Sequence, residues 1–557
     1  MLKKRIYSNI RLLFLSAFLA IVVSGCATYG QGVKKSVDNI KKGQYQLAEQ
    51  EMKKALKPDG DDRLLYYLEL GSLKRLSGEY SDSNFKFETA EKIAEDLYTK
   101  KAGDVLSSML LNPRQSAYPG NDFEKIYINY FKALNYIDMA ETSQDQSSFE
   151  DAVVELRRLD YKLKSYEVEK GNYKEVEDKK KQTFVKLLNI FKKFQGNWVD
   201  QDWLKFREDA HARYLAGVIY EMNNDYDNAR ISYQNAAELY EQGYVKQYSL
   251  DEDVAQRAWY DAIRMMIKSG GWSNEWPQMA RDKLSEEKRN DLKKLSASSG
   301  EVVIIDHIGL APARKEMNLV LKADANTRSL YLYPILTGSP QEKDDQRAWF
   351  FLLYSDKGVM SIINNYSSGG LSGVAKGLSR KTISIGPLWD VADNLGLIGA
   401  IGSTGIRVTV PYYSPVRNTI GKTEIIADGK RKYLLKSEDI GRLAIQEQLL
   451  NAGNDLNTAL ARTSMKNIIA YQAGSQLGGL AALGGKIAAA ATSACETRNW
   501  LTLPEQIRIN RISLGPGNHN VKIVTKNKSG VVISQEEKDF NLKPGEVKIW
   551  SKRTIVE

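Results

Sequence analysis

The chain has 557 residues, room for three or four domains. Its 42% hydrophobic and 27% charged residues exclude wholesale disorder and a polytopic membrane protein. Lys plus Arg outnumber Asp plus Glu by 79 to 69, and the net +10 falls to 75 − 69 = +6 once Lys3, Lys4, Arg5 and Arg11 are set aside. The remaining charges are interspersed, so nothing electrostatic points to nucleic acid. Two cysteines (Cys26 and Cys495) and three histidines offer little for a disulfide framework or a metal site, and neither metal nor cofactor is expected.

Residues 1–25 read as a secretory signal. Met1-Leu-Lys-Lys-Arg is a basic start, Leu12 to Val23 is apolar except for Ser16, and the small pair Ser24-Gly25 precedes Cys26. The apolar run is too short and wrongly flanked for a transmembrane helix. Val23-Ser-Gly-Cys26 resembles the bacterial lipoprotein processing box, in which the cysteine thiol is acylated and the chain is cut just before it, so Cys26 is the expected lipid attachment site. Two or three acyl chains, at about 0.8 kcal/mol per buried methylene, anchor stably where one does not. Ala27 rather than Asp follows the cysteine, which under the enteric sorting rule implied by that resemblance favours the outer membrane, with the protein facing the periplasm. Cys495 is then a lone thiol and reads as a small packing residue.

Self-similarity marks the first half. Residues 210–242 set Arg213, Ala216, Gly217, Tyr220, Asn224, Tyr226, Ala229, Tyr233 and Ala236 at tetratricopeptide (TPR) spacing, with small residues where two helices approach and tyrosines filling between. A second frame runs through Tyr67, Leu70, Gly71, Gly78, Tyr80, Ser83, Phe87 and Ala90, and a weaker third through Gly43, Tyr45, Ala48, Met52 and Ala55. Tyr127–Ala140 and Phe149–Leu159 read as another helix pair, Lys162–Lys181 as a solvated helix face, and 250–297 as the close of the helical half; residues 283–299 look like a linker. Stacked TPR hairpins form a groove that binds peptides or partner domains without chemistry. The first-helix positions expected to face it are Leu68, Ser72, Arg75, Tyr214, Val218 and Glu221.

At Gly300 the period changes. Glu301–Gly309 reads as a buried strand, Ser329–Leu336 as another, and Ile406–Tyr413 alternates cleanly. The glycine-rich stretch 358–404 does not resolve into elements. Ser437–Gln472 returns to helical periodicity, and the small-residue run 474–494 reads as a packed or mobile helical hairpin rather than a membrane insertion. From Glu505 short strands alternate with Gly- and Pro-bearing turns. The fold class expected is therefore multidomain: a signal (1–25), an all-α TPR-like superhelix (26–297), a mixed α/β region (298–435), a helical segment (436–496) and a small C-terminal β domain (497–557).

Several stretches together resemble an uncharacterised family of TPR-containing bacterial lipoproteins of the outer membrane and periplasm. They are Ala133-Leu-Asn-Tyr with Ala152-Val-Val-Glu-Leu-Arg-Arg, Gly309-Leu-Ala-Pro-Ala-Arg-Lys-Glu, Val410-Pro-Tyr-Tyr, Ala461-Arg-Thr-Ser-Met-Lys and, most distinctive, Thr497-Arg-Asn-Trp-Leu-Thr-Leu-Pro-Glu-Gln-Ile. Glu496 stands where that family usually has Asp. The resemblance implies an envelope lipoprotein and transfers no catalytic residue.

Chemical motifs fail on context. Gly421-Lys-Thr lacks the preceding glycine of a phosphate loop, since position 416 is Val. Ser285-Glu-Glu-Lys288 has S-x-x-K spacing without partner motifs. His211, His307 and His519 are scattered; Asp306-His307 has the types of an acid–base pair but reads as structural. Arg498 and Trp500 read as an anchor for the start of the last domain. The expected function is a non-catalytic scaffold or adaptor that binds envelope proteins or peptides and reaches the membrane through its lipid, with no nucleic acid. The alternatives are an envelope enzyme acting on peptidoglycan or glycan, with its site in 301–500, and an accessory factor for secretion or envelope assembly.

Overall fold

The computed structural model describes residues 29–101, 113–143, 146–165, 179–194, 209–294, 299–354, 366–367, 380–417, 419–477 and 494–555. The signal, Cys26, much of the charged run after Lys162, most of the glycine-rich stretch and the run 478–493 lie outside them. An N-terminal helical region is followed by mixed α/β sheets and C-terminal strands, as the periodicities indicate.

The helices come as antiparallel neighbours: α1 (Lys34–Lys41) with α2 (Tyr45–Ala55), α3 (Arg63–Leu76) with α4 (Tyr80–Lys101), and α5 (Asp122–Ser143) with α6 (Gln146–Ser165). After α7 (Lys179–Phe191) come the pair α8 (Ala210–Met222) and α9 (Tyr226–Leu239), then α10 (Asp253–Ser269), which packs on α9. Two pairs share one close-approach device. A Cβ on Gly71 would sit 2.5 Å from the Phe87 ring, and one on Gly217 would sit 2.5 Å from the Tyr233 ring. Both aromatics lie sixteen residues on (87 − 71, 233 − 217), so each pair of helices is pinned at the same level. Gly43, Gly78 and Asn224 take the left-handed conformation that turns the chain between paired helices. Residues 283–299 are not purely a linker: α11 (Trp276–Lys283) is followed by α12 (Glu286–Lys293), whose N-cap Ser285 accepts from the Lys288 amide. The S-x-x-K spacing is thus a helix cap.

The first sheet has the order β12-β1-β9-β8, from β1 (Gly300–Ile308), β8 (Leu435–Asp439), β9 (Gln506–Leu514) and β12 (Val547–Thr554). β1 is its spine, parallel to β12 and antiparallel to β9, with all nine residues buried. Burial on both faces explains its unbroken apolar reading. Val302 and Ile304 face a second sheet, β11-β10-β6-β7, made of β6 (Ile420–Ala427), β7 (Lys430–Tyr433), β10 (Gly517–Asn527) and β11 (Val532–Leu542). Val303 and Ile305 face the helices. A third sheet, β4-β3-β2-β5, holds β2 (Arg314–Asp324), β3 (Ser329–Ile335), β4 (Lys381–Ser384) and β5 (Ile406–Tyr413). Helix α13 (Pro340–Tyr354), short α14 (Leu388–Asn394) and α15 (Leu397–Ile401), and the long α16 (Ile440–Leu477) surround it.

The C-terminal strands therefore do not form a unit of their own. Residues 506–554 complete two sheets begun by 300–308 and 420–439, and boundaries at 435 and 497 cut through hydrogen-bonded ladders. Gly421 sits in β6, its α-carbon against the Asn527 carbonyl, in a strand rather than a phosphate loop.

Gly71→Ala and Gly217→Ala should each destabilise the fold by about 1–3 kcal/mol through overpacking, although alanine favours an isolated helix by about 1 kcal/mol. Urea midpoints of the two variants check this; an unchanged or higher midpoint refutes the close-approach role.

Candidate functional site

The inner face of the helical stack is occupied by the chain itself. Residues 496–503, the stretch that carries the family resemblance, cross α3 and α5 in an irregular path. Buried carboxylates satisfy its main chain: Glu124 accepts from the Trp500 amide at 2.8 Å, and Glu69 accepts from those of Leu501 at 2.8 Å and Thr502 at 3.2 Å. The Trp500 indole, fully buried against Phe87 and Phe131, donates to Ser72 Oγ at 2.9 Å. Arg498 lies over the Tyr118 ring and reaches Asp62 at 2.9 Å, the carbonyls of Asp61, Pro113 and Ser116, and Glu496 at 2.7 Å. Burial pushes the Glu69 carboxyl up to about 7 against the hydrogen bonds that favour its charged form.

Further along, six charges meet where α8 and α10 face the first sheet. Glu221, Asp261 and Glu301 oppose Arg257, Arg264 and Arg511, each at most 6% exposed. Arg511 reaches Glu221 and Asp261 at 2.9 Å, Arg264 reaches Glu221 and Glu301 at 2.7 Å, and Arg257 pairs with Asp261. The core set is neutral, three against three, which is what makes its burial tolerable. Tyr214 donates to Asp261 at 2.5 Å and Tyr233 to Glu221 at 2.9 Å.

Between these two regions the Tyr130 hydroxyl bridges His211 Nε2 at 3.0 Å and His307 Nε2 at 2.9 Å. The carbonyl of Lys552 lies 3.0 Å from His307 Nδ1, and Ser437 Oγ lies 2.9 Å from His211 Nδ1. A carbonyl only accepts, so His307 carries its proton on Nδ1 and takes one from Tyr130 on Nε2. Tyr130 must then accept from His211 Nε2–H, and His211 Nδ1 accepts from Ser437, whose hydroxyl is shared with the Ile507 carbonyl at 3.2 Å. Burial holds both rings neutral, His211 down to about 3 and His307 well below its ordinary value. Asp306 and His307 point to opposite faces of β1: Asp306 accepts from Thr554 on the sandwich side, so the two are no acid–base pair. Beside the histidines, burial raises the carboxyl of Asp209, and burial together with repulsion from Asp209 raises that of Glu438; they accept from Tyr127 and Tyr244 at 2.6 Å.

One solvent-reaching cavity of about 270 Å³ opens beside the clasped segment. Tyr45, Ser72, Arg75, Leu76 and Tyr80 line its helical side. Ser551 and Arg553 of β12 face them, with Phe131, His307 and Thr502 also lining the space, while Trp550, Lys552 and exposed Glu536 border it around the edge of the sheet from the sandwich side.

Of the six residues expected to face a groove, Ser72 and Arg75 meet in this cavity, Tyr214 and Glu221 join the six-charge cluster, and Leu68 and Val218 are core. Glu69, Glu124, Glu301 and Arg511 were not singled out from the sequence. Their signal is a charge on the apolar side of an element, as Arg511 follows Ile507 and Ile509 in β9. Cys495 is buried, its thiol pushed up by burial, in keeping with a packing role. Among the described residues no cluster of His, Cys, Asp and Glu is arranged to hold a metal. No protein-family model matches this chain, and comparisons with curated proteins and with solved structures find no match either.

Arg511→Met should destabilise the protein by about 3–5 kcal/mol, because it leaves three buried carboxylates against Arg257 and Arg264. Adding Glu221→Gln should recover part of that loss in urea unfolding, and an additive pair refutes the coupling. Nitrogen NMR of the imidazoles should show the Nε2–H tautomer for His211 and Nδ1–H for His307, with neither ring gaining a proton from pH 8 to 5. The free imidazole of an unfolded chain protonates near 6.5. Neutral burial of His211 therefore costs stability as pH falls below that value toward its folded value of about 3.

Proposed function

We propose that the protein is a non-catalytic scaffold of the bacterial cell envelope, tethered through lipid on Cys26 to the outer membrane, which holds partner proteins or peptides from the periplasmic side. The observation that carries this reading is how the ionisable groups on the inner helical face are used. Glu69, Glu124, Asp209, Glu221 and His211 each bond within the chain and are shut from water. They fasten helices to sheets rather than meet a substrate.

A block fastened in this way presents its outer surfaces in fixed relation. One of them, between α4 and α6, is a groove of about 520 Å³ with Tyr161 75% exposed beside Glu88, Lys92, Val154 and Arg158. Glycoside hydrolysis takes two carboxyl groups flanking the bond, whereas the cavity beside the clasped segment is lined by one, Glu536. That favours binding over hydrolysis there. Among the described residues no helix is long and apolar enough to cross a membrane; in this reading attachment rests on the acyl chains at Cys26.

Cys26→Ser should move the protein from the membrane to the soluble fraction of cells; a variant that still sediments with membranes refutes the anchor. A photocrosslinking residue at position 161 should give discrete protein adducts in cells, and a chain that crosslinks to nothing there argues against the scaffold.

A further inference from the structure

We propose that the cavity between α3 and β12 is a binding site for a single carboxylate group, a property that goes beyond the scaffold reading and holds with or without it. Three cations line it, and two are already answered: Arg75 by Asp138 at 2.9 Å and Lys552 by Glu536 at 2.6 Å. Arg553 has no carboxylate partner among the described residues. Its Nη2 donates to the carbonyls of Gly309 at 2.6 Å and Thr502 at 2.9 Å, and its buried Nε has no hydrogen-bond partner among the described residues. Carbonyls satisfy donors but leave the charge standing. His307 adds none, since both of its nitrogens are used in neutral form.

The remaining polar groups are poised to donate. Ser72 Oγ accepts from Trp500 and Ser551 Oγ accepts from Arg75 at 2.8 Å, which leaves each hydroxyl proton for an acceptor in the cavity. Donors outnumber acceptors, and among the lining cations and their ion-pair partners one positive charge is in excess, +3 from the arginines and lysine against −2 from Asp138 and Glu536; buried Asp306, whose charge also acts on Arg553 and Lys552, lies toward the other face of β1 and is shared with Arg508. A carboxylate supplies one negative charge and two acceptor oxygens for a guanidinium and two hydroxyls. A phosphate dianion would exceed the charge available.

The aromatic faces of Tyr80, Phe131 and Trp550 border the same space and suit an apolar stem behind the carboxylate. The volume equals about nine waters at roughly 30 Å³ each, room for one small acid or the last residue of a chain but not for a folded partner. Burial also pushes the Arg553 guanidinium down to about 9, the direction expected of a cation awaiting its counter-ion.

Titration calorimetry on the full lipidated chain in detergent tests the assignment with N-acetylphenylalanine, its amide, the tripeptide Gly-Gly-Phe and inorganic phosphate. The acid should bind at least tenfold more tightly than the amide, and more tightly than phosphate. Arg553→Met should weaken it about 10- to 100-fold, the range for a charge-assisted hydrogen bond. Glu536→Gln, which frees the charge of Lys552, should tighten it by about two- to fivefold, with a urea midpoint confirming that the variant is folded. Stronger binding of Gly-Gly-Phe than of N-acetylphenylalanine supports a chain terminus as the natural source, and the reverse order supports a free acid. Equal binding of acid and amide, phosphate binding as tightly as the acid, no binding of any probe, or Glu536→Gln without effect overturns the proposal.

Discussion

A charge taken out of water must find an opposite charge, and this requirement dictates how the two halves of the molecule meet. Apolar contact between helices and a sheet tolerates sliding; six interlocked charges do not. Arg511 on β9 and Glu301 on β1 meet Glu221, Arg257, Asp261 and Arg264 on α8 and α10 in one relative position. The same logic recurs at the other end of the stack, where Glu69 and Glu124 take up three successive main-chain amides. Between them, neutral histidines and Tyr130 carry a hydrogen-bond chain that the Lys552 carbonyl directs from the His307 end. The interface is specified by polar groups and stabilised by the apolar ones around them.

The helical stack thereby uses the surface on which repeat proteins commonly hold a partner. The occupant here is residues 496–503, gripped by carboxylate-to-amide bonds, an arginine on a tyrosine ring and a buried tryptophan. Such contacts read main-chain groups as much as side chains. Among the described residues, access from outside is open at the corner where β12 forms the edge of its sheet and the cationic cavity lies.

The helical half was legible because its signals are local. The Gly71–Phe87 and Gly217–Tyr233 pairs lie within one repeat, and the turn residues Gly43, Gly78 and Asn224 announce themselves by conformation. The Glu301–Gly309 run showed a buried strand for an equally local reason. What it did not show was its neighbours, since β1 pairs with strands about two hundred residues or more away, and alternation says nothing about partners. That is why residues 497–557 looked like a separate domain. Ser72 and Arg75 were legible as inward positions, but the cavity they share with Lys552 and Arg553 exists only after the sheet is in place. The clasp was visible as the distinctive Thr497–Ile507 stretch, while its carboxylate acceptors, single acids inside apolar helices, were not.

The position of β1 between β9 and β12 imposes an order of events on synthesis. Residues 547–554 follow the helical half in the chain by more than two hundred residues, so the first sheet cannot close until they have been delivered. Through that interval Glu69, Glu124 and Glu221 stay hydrated and the stack stands open along its inner side. A chain still lacking those strands is thus a different object from the finished one: an unfilled trough whose eventual lining is residues 496–554.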